Sequence, residues 1–363
     1  MENNYQFDRN FMLKSINDIQ RLLNDTNKSL RIKRNLKAMM KVLRNLIEKN
    51  YNYYDEVSIK APSDLEKIKR IVLNRMRIAY KTLGPDLICW LLDLIVLGIF
   101  DLDYELEEQK TILNIDTQAD LTIENYNMKS RRYFEIAKEI ILNRKGAQIE
   151  LIDDIKIESY CVYNDFVKQS FIVLNPTDAP WILNHEIQHA VENICEYQTH
   201  NMYDELGAHY FEMLFLDTLY DNQGYLLTGD YIEKMKDAKD LLEYLYGYLN
   251  CIMVFCTYNF EVPLDIFING IMDCYDVDLK TAYDDILINE LFANNSIKDM
   301  NYLFSYLKAI ELRERTFLTK KSSDDILEPY INSRRFKFYP PKDIGIYKRY
   351  ITEMQQKTRI LQK

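Results

Sequence analysis

Glycine and proline are scarce in this chain of 363 residues, at 9 and 8, so little interrupts its long Leu-, Ile-, Lys- and Glu-rich runs and helices should dominate. That scarcity also excludes collagen-like and low-complexity chains. The six cysteines (Cys89, Cys161, Cys195, Cys251, Cys256 and Cys274) never fall in a CxxC spacing, which argues against a zinc ribbon or a disulfide framework. Reduced thiols in a cytoplasmic protein are the expectation. A bilayer demands ~20 consecutive apolar residues. The longest apolar stretch, Leu87 to Phe100, is shorter and carries Asp93, so it reads as a buried helix. Residues Met1 to Asp8 are polar, and neither a secretory signal nor a membrane partner is expected. A glycine-rich phosphate loop, a GxSxG elbow and an internal repeat are all missing.

What is present is apolar material for a large core, 47% of residues, and an excess of acid, with 56 Asp and Glu against 46 Lys and Arg. A net charge of -10 keeps such a chain soluble and argues against nucleic acid as its main partner. The balance is uneven. Residues 1–84 hold 18 basic and 9 acidic side chains and residues 85–363 hold 28 and 47, so a basic arm docking on its own acidic body is the first reading of that asymmetry, solvated faces the second.

Apolar residues recur at helical spacing from Phe7 to Asn50 with a break near Asn24–Asn27, which predicts a helical hairpin. Further helices are expected over Asp64–Thr82, 86–100 after Gly84-Pro85, and Asp120–Arg144. At Lys145-Gly146 the texture changes. Gln148–Ile152, Ser159–Tyr163 and Ser170–Leu174 are short β-branched or aromatic runs and predict two or three strands; from Trp181 onward helical spacing returns. Two portions follow, a helical one over residues 1–145 and a second over 146–363.

The distinctive residues lie directly after the strands. His185-Glu186-Ile187-Gln188-His189 sits in an amphipathic run whose Ile182, Leu183, Ile187, Ala190, Val191 and Ile194 share a face. On a helix, histidines at i and i+4 stack one turn apart, so two ring nitrogens can reach one ion at ~2.0–2.1 Å while Glu186 projects beside it. That is the arrangement of metal-assisted hydrolysis, where a Lewis-acidic zinc lowers the pKa of a water and a carboxylate takes its proton. A catalytic zinc needs a third protein ligand. Glu192 and Cys195 stand where a metzincin needs glycine and a third histidine, so the candidate is the segment Asp204 to Glu212. There Glu205, His209 and Glu212 fall near one helical face: Glu205 can complete the site, Glu212 can hydrogen-bond a ligand imidazole, and His209 can sit at the rim.

Two strands, Ala179-Pro180-Trp181-Ile182-Leu183-Asn184 leading into His185-Glu186-Ile187-Gln188-His189, and then a helix opening with Glu205 and carrying Glu212 resemble the thimet oligopeptidase and oligoendopeptidase F family of zinc peptidases over roughly residues 156–216. The resemblance implies a mainly α, zincin-like metallopeptidase with a small β-sheet segment before the HExxH helix. It implies one zinc ion per chain bound by His185, His189 and Glu205, Glu186 as general base, and a peptide or polypeptide substrate. An extended substrate would pair with the edge strand at Ser159, Tyr160 and Cys161. Asn301 to Tyr306 is similar to the family's later tyrosine run, making Tyr302 and Tyr306 candidates for stabilising the developing oxyanion, or else tyrosines packing a helix interface. The chain departs from the family in lacking the histidine expected upstream of that run, in Phe304 and Ala208, and in being short, chiefly before the zinc helix. Those departures motivate a competing reading, a helical binding or regulatory protein derived from a peptidase. A dedicated protease acting on one protein shares the site and differs in substrate.

Overall fold

In the computed structural model the described residues are Asn17, Gln20, Lys37 and Met40, all helical, then 62–99, 113–152, 159–164, 168–175, 178–223, 229–283, 286–287, 291, 296–319, 321–336 and 338–359. Apart from those four helical residues the hairpin expected over Phe7–Asn50 lies outside them, and so does the basic arm up to residue 61.

The first described helices, α1 (Pro62–Leu83) and α2 (Pro85–Val96), meet at Gly84, whose φ of 80° lets the chain turn sharply between them. Five apolar residues of α2, Leu87, Ile88, Trp90, Leu91 and Leu94, are buried, but the helix stops at Val96 rather than running to 100, and Val96 and Leu97 are exposed. The single helix expected over Asp120–Arg144 is instead two, α3 (Ile115–Lys129) and α4 (Arg132–Asn143). Ser130 is extended between them and its Oγ accepts the Tyr133 N–H, while Asp324, far along the chain, accepts the N–H groups of Arg131 and Arg132. A cap supplied from so far away leaves no local trace in the sequence.

Gly146, at φ 82°, turns α4 into a three-stranded sheet of β1 (Ala147–Leu151), β2 (Tyr160–Asn164) and β3 (Gln169–Leu174). The strand order is β1-β3-β2: β3 runs parallel to β1 and antiparallel to β2, with Cys161 opposite Ile172. The central strand β3 is buried from Ser170 to Leu174, whereas β2 ends the sheet on one side. Helix α5 (Ile182–Ile194) packs across β3 and β2, and α6 (Leu206–Gln223) packs along α5. Among the described residues the remaining helices longer than one turn are α7 (Gly229–Cys256), α8 (Leu264–Tyr275), α9 (Ser296–Thr319), α10 (Ser323–Ile331) and α11 (Gly345–Arg359). α9 lies against α6, and a single buried core runs from α1 to α11.

The far end of α6 is tied down by charge. Arg313 of α9 donates through Nε and Nη2 to both oxygens of Asp217, at 2.8 and 2.6 Å, and through Nη1 and Nη2 to Glu353 of α11, at 3.1 and 2.8 Å; Lys357 adds a bond to Asp217 at 3.0 Å. Burial pushes the Glu353 carboxyl up, but Arg313 and then Lys357 outweigh it and hold the group at about 2, below its ordinary 4.5. A depressed carboxyl stabilises the fold above the unfolded value and loses that contribution as pH falls through the folded one. Between pH 4.5 and 2.5 the melting temperature should therefore fall less steeply in Glu353→Gln than in the wild type. Parallel slopes in the two proteins would remove Glu353 from the acid response.

Candidate metal centre

Helix α5 places His185 and His189 one turn apart on the side facing α6, with ring centroids 5.0 Å apart. Glu205 precedes α6, and its carbonyl accepts the His209 N–H at 3.0 Å, so it occupies the capping position of that helix. Its side chain thus leaves the helix end free to reach back to α5. Gly207 permits the approach of the two helices: a Cβ there would stand 1.7 Å from Glu192 Oε1.

The three groups converge. Glu205 Oε2 is 3.4 Å from His185 Nε2 and 3.2 Å from His189 Nε2, and the three donor atoms lie within 4.8 Å of one another. Tetrahedral bonds of 2.0–2.1 Å require donors ~3.3–3.4 Å apart. Two imidazoles and a carboxylate at these separations fit a zinc-type ion. His185 Nδ1 lies 3.0 Å from Glu212 Oε2, so its N–H donates to that carboxylate and the Nε2 lone pair is left facing Glu205 and His189. Side-chain exposures of 21% for His189 and 17% for Glu205 keep the donor set open to solvent, against 1% for Glu212 behind it.

Electrostatics agree with this division. Burial pushes the His189 imidazole down, but Glu205, by charge and hydrogen bond, outweighs it and lifts the group to about 10. Burial likewise pushes Glu205 up, and the two histidines reverse that and hold it well below the usual carboxylate range. A cation competes with a proton for this pair. Glu186 is buried and takes no part in either group of clustered donors. Its charge nonetheless raises the Cys161 thiol, after burial, and adds to the lift on His189.

His209 is not at the rim. It is 3% exposed, with Nδ1 3.6 Å from Glu212 Oε2 and its ring 5.5 Å from that of His185. With His185 and Glu212 it forms a second group of clustered donors, deeper than the first. Tyr306 lies edge-on to His209 at 5.6 Å and is buried; Tyr302, half exposed, is 6.3 Å from the same ring. Phe304 points elsewhere, into a cluster with Phe336 and Phe338. At β2, the backbone N–H and hydroxyl of Ser159 both donate to Asp178, at 2.9 and 2.6 Å, so of the three edge residues Ser159 is already engaged within the chain. Sequence reasoning passed over Asn125 and Tyr126 of α3, which bond to α5 beside its histidines; nothing local marks them.

No family model and no curated protein matches the sequence. The solved structures it is similar to include several named as peptidases and one named as a lipoprotein, from Colwellia psychrerythraea. A protein provisionally named oligoendopeptidase F is 14% identical, with 98% of this chain and 75% of that one covered and a TM-score of 0.44. PZ peptidase A, solved with an inhibitor, is 11% identical over 98% and 76%, at 0.42. A provisionally named peptidase from Chlamydophila abortus is 11% identical over 94% and 66%, at 0.45. Likeness of this depth carries no argument of its own, and the chemistry rests on the geometry above.

Proposed function

We propose that the protein is a zinc-dependent peptidase whose ion is held by His185, His189 and Glu205. The observation that carries this is the triangle of donor atoms, 3.2 and 3.4 Å on its two measured sides, with Glu212 fixing the tautomer of His185. When bound there, zinc supplies a Lewis acid to polarise a scissile carbonyl and acidify an attacking water. Glu186, beside the donors and outside them, takes the proton from that water and returns it to the leaving amine nitrogen. Tyr302, half exposed, would donate to the substrate carbonyl oxygen, and Tyr306, buried against His209, would support the wall behind it. Main-chain pairing with β2 from Tyr160 and Cys161 onward would align an extended peptide, Ser159 being engaged with Asp178. Residues 1–145 would wall the cleft, and α3 and α4 already lie against α5. Six free thiols fit a reducing compartment such as the cytoplasm, and among the described residues no helix is long and apolar enough to cross a membrane.

Digestion of a mixed peptide library with and without 1,10-phenanthroline tests the reading. Cleavage should stop with the chelator and return on adding back zinc. A protein that binds peptides, and cleaves none in either state, would be the regulatory descendant instead.

A further inference from the structure

The metal helix is gripped on the face beside its histidines by two consecutive residues of α3. Asn125 Nδ2 donates to Asn184 Oδ1 at 3.1 Å and to the Phe211 carbonyl of α6 at 3.3 Å, while its Oδ1 accepts from Thr218 at 3.1 Å. Tyr126 donates its hydroxyl to Gln188 Oε1 at 2.9 Å, and Gln188 Nε2 passes on to Glu192 Oε1 at 2.9 Å. Asn125, Tyr126, Asn184 and Gln188 are fully buried, and the Tyr126 ring is stacked on Phe211 at 4.6 Å. The two gripped residues immediately precede His185 and His189 and stand one helical turn apart themselves.

We infer that Asn125 and Tyr126 set the rotation of α5 about its own axis and so act as positioning residues for the cation. Side-chain atoms sit about 5–6 Å from a helix axis, so a turn of roughly 20° would carry an imidazole nitrogen about 2 Å, a whole ligand bond length. Apolar packing is non-directional and leaves the angle to shape complementarity alone. Directional bonds at two points on one face do resist it, since turning α5 either way leaves buried amide groups without partners. The grip also reaches α6 through Phe211 and Thr218, so the helix bearing the histidines and the helix that Glu205 caps are referred to the same two residues.

This rests on the proposed metal site, and the test separates the two. Zinc dissociation constants and the visible spectrum of the cobalt(II) form are measured for the wild type, Tyr126→Phe and Tyr133→Phe. Tyr133 is the control: it is equally buried, also lies against Phe211, and its hydroxyl meets Tyr197 rather than α5. Tyr126→Phe should bind zinc about 10-fold or more weakly and shift the cobalt bands. Tyr133→Phe should melt earlier with constant and spectrum unchanged. Asn125→Leu, a second route to the same loss, should behave as Tyr126→Phe. If the wild type binds zinc and both α3 variants match it in affinity and spectrum, or if Tyr133→Phe loses as much, the grip is overturned while the site stands. A wild type that takes up no zinc or cobalt overturns both.

Discussion

Glu186→Gln is expected to retain about one zinc per chain and to lose about 10²–10⁴-fold in kcat/KM on any peptide the wild type cleaves. The metal should stay because no Glu186 atom belongs to the cluster of donors within 4.8 Å, and because the amide keeps the volume of the carboxyl it replaces. Stability should hold as well. Glu186 is buried, and the amide removes a desolvated charge while keeping the shape of the group. What the amide cannot do is accept a proton from water and release it to the leaving group. The expected signature is thus a full metal complement, an unchanged melting curve and a collapsed rate. Wild-type activity in this variant would remove Glu186 as the base, and loss of metal would place it among the ligands.

Arg313→Met should cost about 3–5 kcal/mol, the usual penalty for leaving one member of a buried ion pair unmatched. Asp217, 3% exposed, would keep only Lys357 of its two cations, and Glu353 would lose both its guanidinium bonds. For a chain of 363 residues that corresponds to a fall of roughly 4–7 °C in Tm, with the remaining lysine favouring the lower figure. Adding Asp217→Leu should recover part of the loss, since removing both charges also removes the desolvated one left behind. The bridge joins the end of α6 remote from the metal to α9 and α11, so the double variant should bind zinc as the wild type does. Calorimetry of the three proteins checks the series, and a single variant within 1 °C of wild type would show that Asp217 is solvated on losing Arg313.

Local chemistry made much of this arrangement legible. Histidines spaced by four in an amphipathic run place themselves, because a helix of 3.6 residues per turn leaves no other result. The three strands were legible from β-branched and aromatic runs between polar breaks, and Glu205 from the restart of helical spacing just after it. The features that the sequence hides depend on distant segments. Asp324 breaks the helix at Ser130 from nearly two hundred residues away, so propensity alone ran it through to Arg144. His209 looked like a rim residue because its burial depends on α9, whose Tyr306 covers it. Ser159 looked free to pair with a substrate until Asp178, from beyond β3, took its N–H. Asn125 and Tyr126 carry no signal in a helix whose neighbours are ordinary polar residues; only the fold brings them against Asn184 and Gln188 beside the histidines.

The central claim is that two imidazoles from α5 and the carboxylate ahead of α6 share one divalent cation. Zinc titration of metal-free protein against a competing chromophoric chelator, run for the wild type and His189→Ala, addresses it most directly. The account predicts one tight site in the wild type, weakened by at least 100-fold in the variant. No tight site in the wild type, or equal affinity in both proteins, would contradict it.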